Sequence, residues 1–148
     1  MILIKKWRIR RSIKALSKAE TCFPIDIFSL SREIAKIKDT SFLNSLIAIY
    51  GHNPNAFVRR CMLTAIKFSS EYFSSAPVDN GQYISSMLVD ENARVQYDAC
   101  WLIKDHGFMS PSDLDVIRQI AGDMVNLNIV ELKNLKPTEA SGYALAVC

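Results

Sequence analysis

A chain of 148 residues, 49% hydrophobic and 22% charged, has the make-up of a single folded domain with room for a real core, which excludes global disorder. Its net charge of +3 is unevenly spread: seven Lys/Arg fall in residues 1–20 against the single acid Glu20, leaving eleven basic and fourteen acidic residues for the rest. A basic head on a mildly acidic body excludes a general nucleic-acid coat, which would spread its positive charge over the main binding surface.

Residues 1–19 carry Ile2, Ile9, Ile13 and Leu16 at helical steps, although the opening MILIKKWRI also suits a strand. As a basic amphipathic helix the segment fits either a membrane-surface or polyanion contact, or an end cap whose apolar side packs inward while its charges face water. The cap is the reading we take forward. Its apolar residues precede the charges and no long apolar run follows, the wrong order for a secretory signal. No run in the chain approaches the ~18 apolar residues of a membrane span.

Pro24 marks a connector. Residues 25–38 then place Ile27, Leu30, Ile34 and Ile37 at helical spacing, with Lys36 and Lys38 where the helix dipole favours cations. Asp39, Thr40 and Ser41 form an N-cap cluster for a helix over 42–50, stopped by Gly51. Asn53-Pro54-Asn55 turns into a long helix over 56–73, and the segment 77–81 breaks the chain again. A short helix over 83–89 carries Ile84, Met87 and Leu88. Asp90-Glu91-Asn92 is the next turn, leading to a helix over 93–106 closed by Gly107. Ser110-Pro111-Ser112-Asp113 starts another, to about 125. Residues 126–136 suit a short helix with a loop-like entry, and 140–148 a last small-residue helix. No β-sheet is expected.

The segment from Asn53 repeats at an offset of 37 residues: Asn55 falls on Asn92, Val58 on Val95, Met62 on Ala99 and Ile66 on Ile103. A self-match at this period is the mark of stacked helix pairs. Paired in chain order, the helices give the units 42–50 with 56–73, 83–89 with 93–106, and 114–125 with a degenerate C-terminal partner. Asn55-Ala56-Phe57-Val58-Arg59 and Asn92-Ala93-Arg94-Val95-Gln96, with Ala99 and Leu102, resemble the second helix of the HEAT-repeat family. Gln96 stands where that family usually has Arg. The resemblance covers about half the chain. It implies an all-α fold, a short right-handed solenoid of antiparallel helix pairs in one domain, with residues 1–20 as a basic capping segment.

No catalytic constellation appears. His52 and His106 each sit at a helix end, where a His is favourable for the dipole alone, and neither has ligand partners at metal spacing. The glycines Gly51, Gly81, Gly107, Gly122 and Gly142 are single stops, not a phosphate cradle. Cys22, Cys61, Cys100 and Cys148 show no CxxC; Cys61 and Cys100 lie within apolar helical patterns. Free reduced thiols, and hence the cytoplasm, fit this spacing better than a disulfide framework. No cofactor and no metal are expected.

The outward faces carry the information about binding. On 93–106, Val95, Ala99 and Leu102 form the buried stripe, and Arg94, Tyr97, Trp101 and Lys104 fall opposite. On 56–73, Val58, Met62, Ala65 and Ser69 face inward while Arg60, Thr64, Lys67 and Glu71 face out. The offset sets Arg60 beside Tyr97, Thr64 beside Trp101 and Lys67 beside Lys104, along the groove that second helices line in such solenoids. Trp, Tyr and Arg dominate binding hot spots. The competing reading is that Tyr97 and Trp101 pack against the next repeat, and it stands equal at this point.

Size, helical architecture and the lack of catalytic motifs resemble the small bacterial immunity proteins of contact-dependent inhibition systems. That resemblance implies a protein partner, a toxin domain neutralised by covering its active site or target-binding surface. A basic nuclease toxin would want an acidic inhibitor; the contact would then run through Glu71, Asp90, Glu91, Asp98 and Asp105, or the toxin is of another kind. Two alternatives remain. One is a nucleic-acid-binding or base-repair helical repeat, using Trp101 with Asp98 or Asp105 beside Arg60 and Lys67. The other is a peptide-binding adaptor.

Overall fold

In the computed structural model the described residues are 1–72, 80–106, 112, 113, 115–117 and 119. Among them every regular element is helical and no strand occurs. The helices run in the order α1 (Ile2–Leu16), α2 (Pro24–Lys36), α3 (Thr40–Tyr50), α4 (Ala56–Tyr72), α5 (Gly81–Met87) and α6 (Ala93–His106). Residues 112, 113, 115–117 and 119 are also helical, and Ile117 is fully buried. The expected helices over 126–136 and 140–148 lie outside the described residues. The chain divides into two compact units, Met1–Asn80 and Gly81–Cys148.

The ambiguous opening segment is a helix. Ile9 and Ile13 are its buried residues and face inward with half-buried Leu16. Lys6 donates from Nζ to the Asp39 carboxylate at 2.6 Å, and both Lys6 and Arg10 place their charges over the Phe42 ring, at 5.1 and 5.5 Å. Asp39 also caps α3 by accepting from the Phe42 amide at 2.9 Å. The Lys6 hydrogen bond, followed by the Phe42 amide, holds the Asp39 carboxyl below its ordinary range. This interaction stabilises the fold above the unfolded carboxylate pKa and is lost as pH falls through the lowered value.

Helix α2 begins on Pro24 at the position where a missing amide costs nothing. Its buried residues are Ile27, Ser31, Ile34 and Ala35, a stripe containing two small side chains. That stripe makes the most extensive helix contact in the first unit, against α4 rather than α3. The contact of α3 with α4 expected from chain order is also present, less extensively, as is that of α1 with α4. Helices α2 and α4 approach closely: the Ser31 hydroxyl lies 2.7 Å from the Ile27 carbonyl and 3.1 Å from the Cys61 carbonyl of α4. Phe28 meets Phe68 edge-on with centroids 6.4 Å apart, and Arg32 caps the Phe68 ring at 5.0 Å. Covered by α1, α2 and α3, helix α4 is buried continuously from Val58 to Ile66. A helix enclosed in this way has no single apolar stripe to read.

Burial pushes the Cys61 thiol up to about 12, above its ordinary range, outweighing the opposing hydrogen bond from Ser31. The folded state therefore favours the neutral thiol. Its contribution is complete below the unfolded pKa and is lost as pH rises toward the folded one. Denaturant titrations between about pH 9 and pH 11 should show a loss on the order of 1 kcal/mol per pH unit from this one group. The Cys61→Ala variant is expected to lose that part of the slope. An equal slope in the variant would refute the assignment.

In the second unit α5 and α6 pack through Tyr83, Ile84, Met87 and Leu88 on one side and Val95, Ala99, Leu102 and Ile103 on the other, all buried. Helix α5 starts at Gly81, two residues before the apolar pattern suggests, because Tyr83 and Ile84 are already inside it. Gly51 closes α3 in the right-handed region (φ −59°, ψ −31°), so its freedom is not used. Among the described residues other than glycine, the left-handed one is Lys38 (φ 54°), directly before the α3 cap.

Candidate functional site

The two turns that sequence sets 37 residues apart are built by the same hydrogen bonds. Asn53 Oδ1 accepts from the Asn55 amide at 2.9 Å, and Asp90 Oδ1 accepts from the Asn92 amide at 2.8 Å. Asn55 Oδ1 then accepts from Phe57 at 2.9 Å, while Asn92 Oδ1 accepts from Arg94 at 3.0 Å and Val95 at 3.2 Å. Side-chain oxygens thus supply partners to the first helical amides, the N-capping role that Asn and Asp favour. The next matched pair continues the pattern. Arg59 donates from Nη1 to the carbonyls of Asn53 and Pro54, at 2.8 and 3.0 Å; Gln96, its counterpart, donates from Nε2 to the Leu88 carbonyl at 3.2 Å. Gln96 thus also donates to a carbonyl ahead of its helix, but to one eight residues back, at the end of α5, where Arg59 reaches carbonyls six and five residues back in the turn. Val58 and Val95, Met62 and Ala99, and Ile66 and Ile103 are all buried.

The outward-facing residues fare differently. Arg60 and Thr64 are interior, 9% and 6% exposed, and the Thr64 hydroxyl donates to the Arg60 carbonyl at 2.8 Å. Lys67 is half-buried. The expectation that Arg60 and Thr64 face solvent is corrected: both lie on the stretch of α4 that is buried without interruption from Val58 to Ile66. Asp98, expected on the surface of α6, is likewise buried at 6% exposure. Arg94 is exposed, and Tyr97 and Trp101 are half-buried. Their rings, one helical turn apart, meet at 6.2 Å between centroids and 37° between planes. The side chains of Glu71, Lys104 and Asp105 lie outside the described residues.

The face that survives on a single element is Arg94, Tyr97 and Trp101, at i, i+3 and i+7 along α6. It offers aromatic area with a cation beside it and no nucleophile or general base. His52 is exposed at the end of α3, and Asp90 and Glu91 lie in the turn before α6, half-buried and exposed respectively. Among the described residues no group of three or more His, Cys, Asp or Glu stands together to hold a metal ion. Cys61 and Cys100 are buried and Cys22 is half-buried. Burial raises the Cys22 pKa, reinforced by Asp26 and opposed by Arg60. That neighbourhood joins residues from the connector, α2 and α4, and nothing in the spacing of the sequence marks it.

Among the described residues, no helix is long and apolar enough to cross a membrane. Comparison with protein-family models, with curated proteins and with solved structures finds no match to this chain.

Proposed function

We propose that the chain is a non-catalytic protein-binding module of the immunity type, a cytoplasmic inhibitor that covers the active site or target-binding surface of a toxin domain. In this reading its helix pairs stack as a short right-handed HEAT-like solenoid. The observation that carries the proposal is the half-exposed Tyr97–Trp101 ring pair with exposed Arg94 one turn before it. Aromatic rings already held against each other lose little side-chain freedom on binding, and Tyr, Trp and Arg are the residue types on which interface energy concentrates. A nucleic-acid groove would call instead on Arg60, which lies in the interior.

The test is affinity capture from the native host with tagged full-length chain, followed by titration of the captured partner. Trp101→Ala is expected to weaken binding by about 2 kcal/mol, roughly thirtyfold, with the helical circular dichroism retained. Because Trp101 is half-buried, Arg94→Glu serves as a second, exposed variant and should weaken the same complex. Unchanged affinity in both variants, or failure to recover any stoichiometric protein partner, overturns the reading. A toxin-domain reading frame beside the gene would supply the partner directly for co-expression rescue.

A further inference from the structure

Helix α1 has more apolar side chains than its packing uses. At 3.6 residues per turn its circumference divides into arcs. Ile9 and Ile13 occupy the inward arc, with 2% and 0% exposure. On one flank Lys6 and Arg10 lie over Phe42. On the other, Lys5, Arg8 and Ile9 face Glu33, Lys36 and Ile37 of α2 across an open cleft of about 250 Å³. The remaining arc points away from all of these and holds Leu3, Ile4, Trp7, Arg11 and Lys14. Leu3 is 80% exposed, Ile4 63% and Trp7 60%. The Arg11 guanidinium lies 5.5 Å over the Trp7 ring. Among the described residues, the ion pair of α1 is Lys6 with Asp39, and Lys5, Arg8, Arg11 and Lys14 have no carboxylate within salt-bridge distance.

We infer that this outer face of α1 docks on an anionic phospholipid surface. The choice of partner follows from the mixture of side chains. A nucleic acid would take up Arg8, Arg11 and Lys14 but leave Leu3 and Ile4 in water. An anionic bilayer surface takes up both sets: Leu3 and Ile4 enter the acyl boundary, Trp7 sits at headgroup depth, and the cations meet lipid phosphates. Lys5, Arg8 and Lys36 around the neighbouring cleft place three further positive charges beside that face, against the one carboxylate of Glu33. With a single short apolar patch and several cations, binding is reversible and dependent on both lipid charge and salt.

Full-length protein is mixed with phosphatidylcholine vesicles with and without phosphatidylglycerol, and sedimented. Association with the anionic vesicles is expected to exceed that with the neutral ones by roughly tenfold or more and to fall as salt is added. In the Trp101→Phe background, Trp7 emission should shift to the blue on the anionic vesicles alone. The double variant Leu3→Ser/Trp7→Ser and the double variant Arg8→Gln/Arg11→Gln should each lose most of the bound fraction while keeping the helical signal of the parent. All four positions are exposed, so these changes leave the core intact. Equal binding to neutral vesicles, undiminished binding by either double variant, or binding of single-stranded RNA in place of vesicles overturns the proposal.

Discussion

Replacing Asn55 by Ala is expected to lower stability by about 3 kcal/mol, roughly three times the cost of the same change at Asn92. Both residues cap a helix, a role worth about 1 kcal/mol. Asn55 does something more with its amide nitrogen. Nδ2 stands 3.2, 3.3 and 2.9 Å from the carbonyls of Leu16, Ser17 and Ala19, the end of α1. Two N–H groups shared among three acceptors amount to two hydrogen bonds, each contributing about 1 kcal/mol net where the acceptors are sheltered from water. One side chain therefore starts α4 and ties down the last turn of α1. For a chain of this length the loss corresponds to a fall in Tm of roughly 10 °C. Asn55→Ser separates the two roles, since it keeps a capping oxygen and removes both amide donors; it should recover about a third of the loss. Thermal unfolding of the three variants decides the matter. Equal losses at Asn55 and Asn92 would mean that the α1 contacts contribute nothing.

What was legible in the sequence, and what was not, follows from how local each interaction is. The turn into α4 and the turn into α6 were readable because Asn and Asp act on amides two or three residues away, so their spacing carries the geometry. The same holds for the Asp39 cap of α3. Periodicity also found Val58, Met62, Ala65 and Ser69, and Val95, Ala99 and Leu102, as core. It failed for Arg60 and Thr64 because period 3.6 separates two sides of a helix only when one of them meets water. In α4 both sides meet protein, and Thr64 satisfies its hydroxyl within its own helix. Asp98 flanks the Val95, Ala99 and Leu102 stripe and is buried with it, a carboxylate where residue type alone suggests solvent. Trp7, Leu3 and Ile4 were visible as residues but not as a surface, because only the packing of Ile9 and Ile13 shows which arc of α1 is left over. Arg59 and Gln96 stand at matched positions yet donate to carbonyls at different distances back along the chain, which no comparison of residue types reveals.

The pairing of α2 with α4 makes the second large prediction, at Ser31. Within α2 the apolar pattern draws attention to Leu30 and Ile37, yet both are half-buried, while Ser31 and Ala35 are enclosed. Small side chains are where two helices come closest, and the Ser31 hydroxyl reaches the backbone of α4 itself. No space remains there for three additional carbon atoms. Ser31→Leu should therefore cost about 3 kcal/mol or prevent folding, the upper part of the range for overpacked cores. Ser31→Ala should cost less than about 1 kcal/mol, because the Ile27 and Cys61 carbonyls are helical and keep their backbone partners. Ala and Leu both favour helix, so the difference between the variants reports packing rather than propensity. Chemical denaturation of the two variants gives that difference. If α4 instead relied mainly on α3, Leu at position 31 would be tolerated nearly as well as Ala, and α2 would not be the element against which the first unit is built.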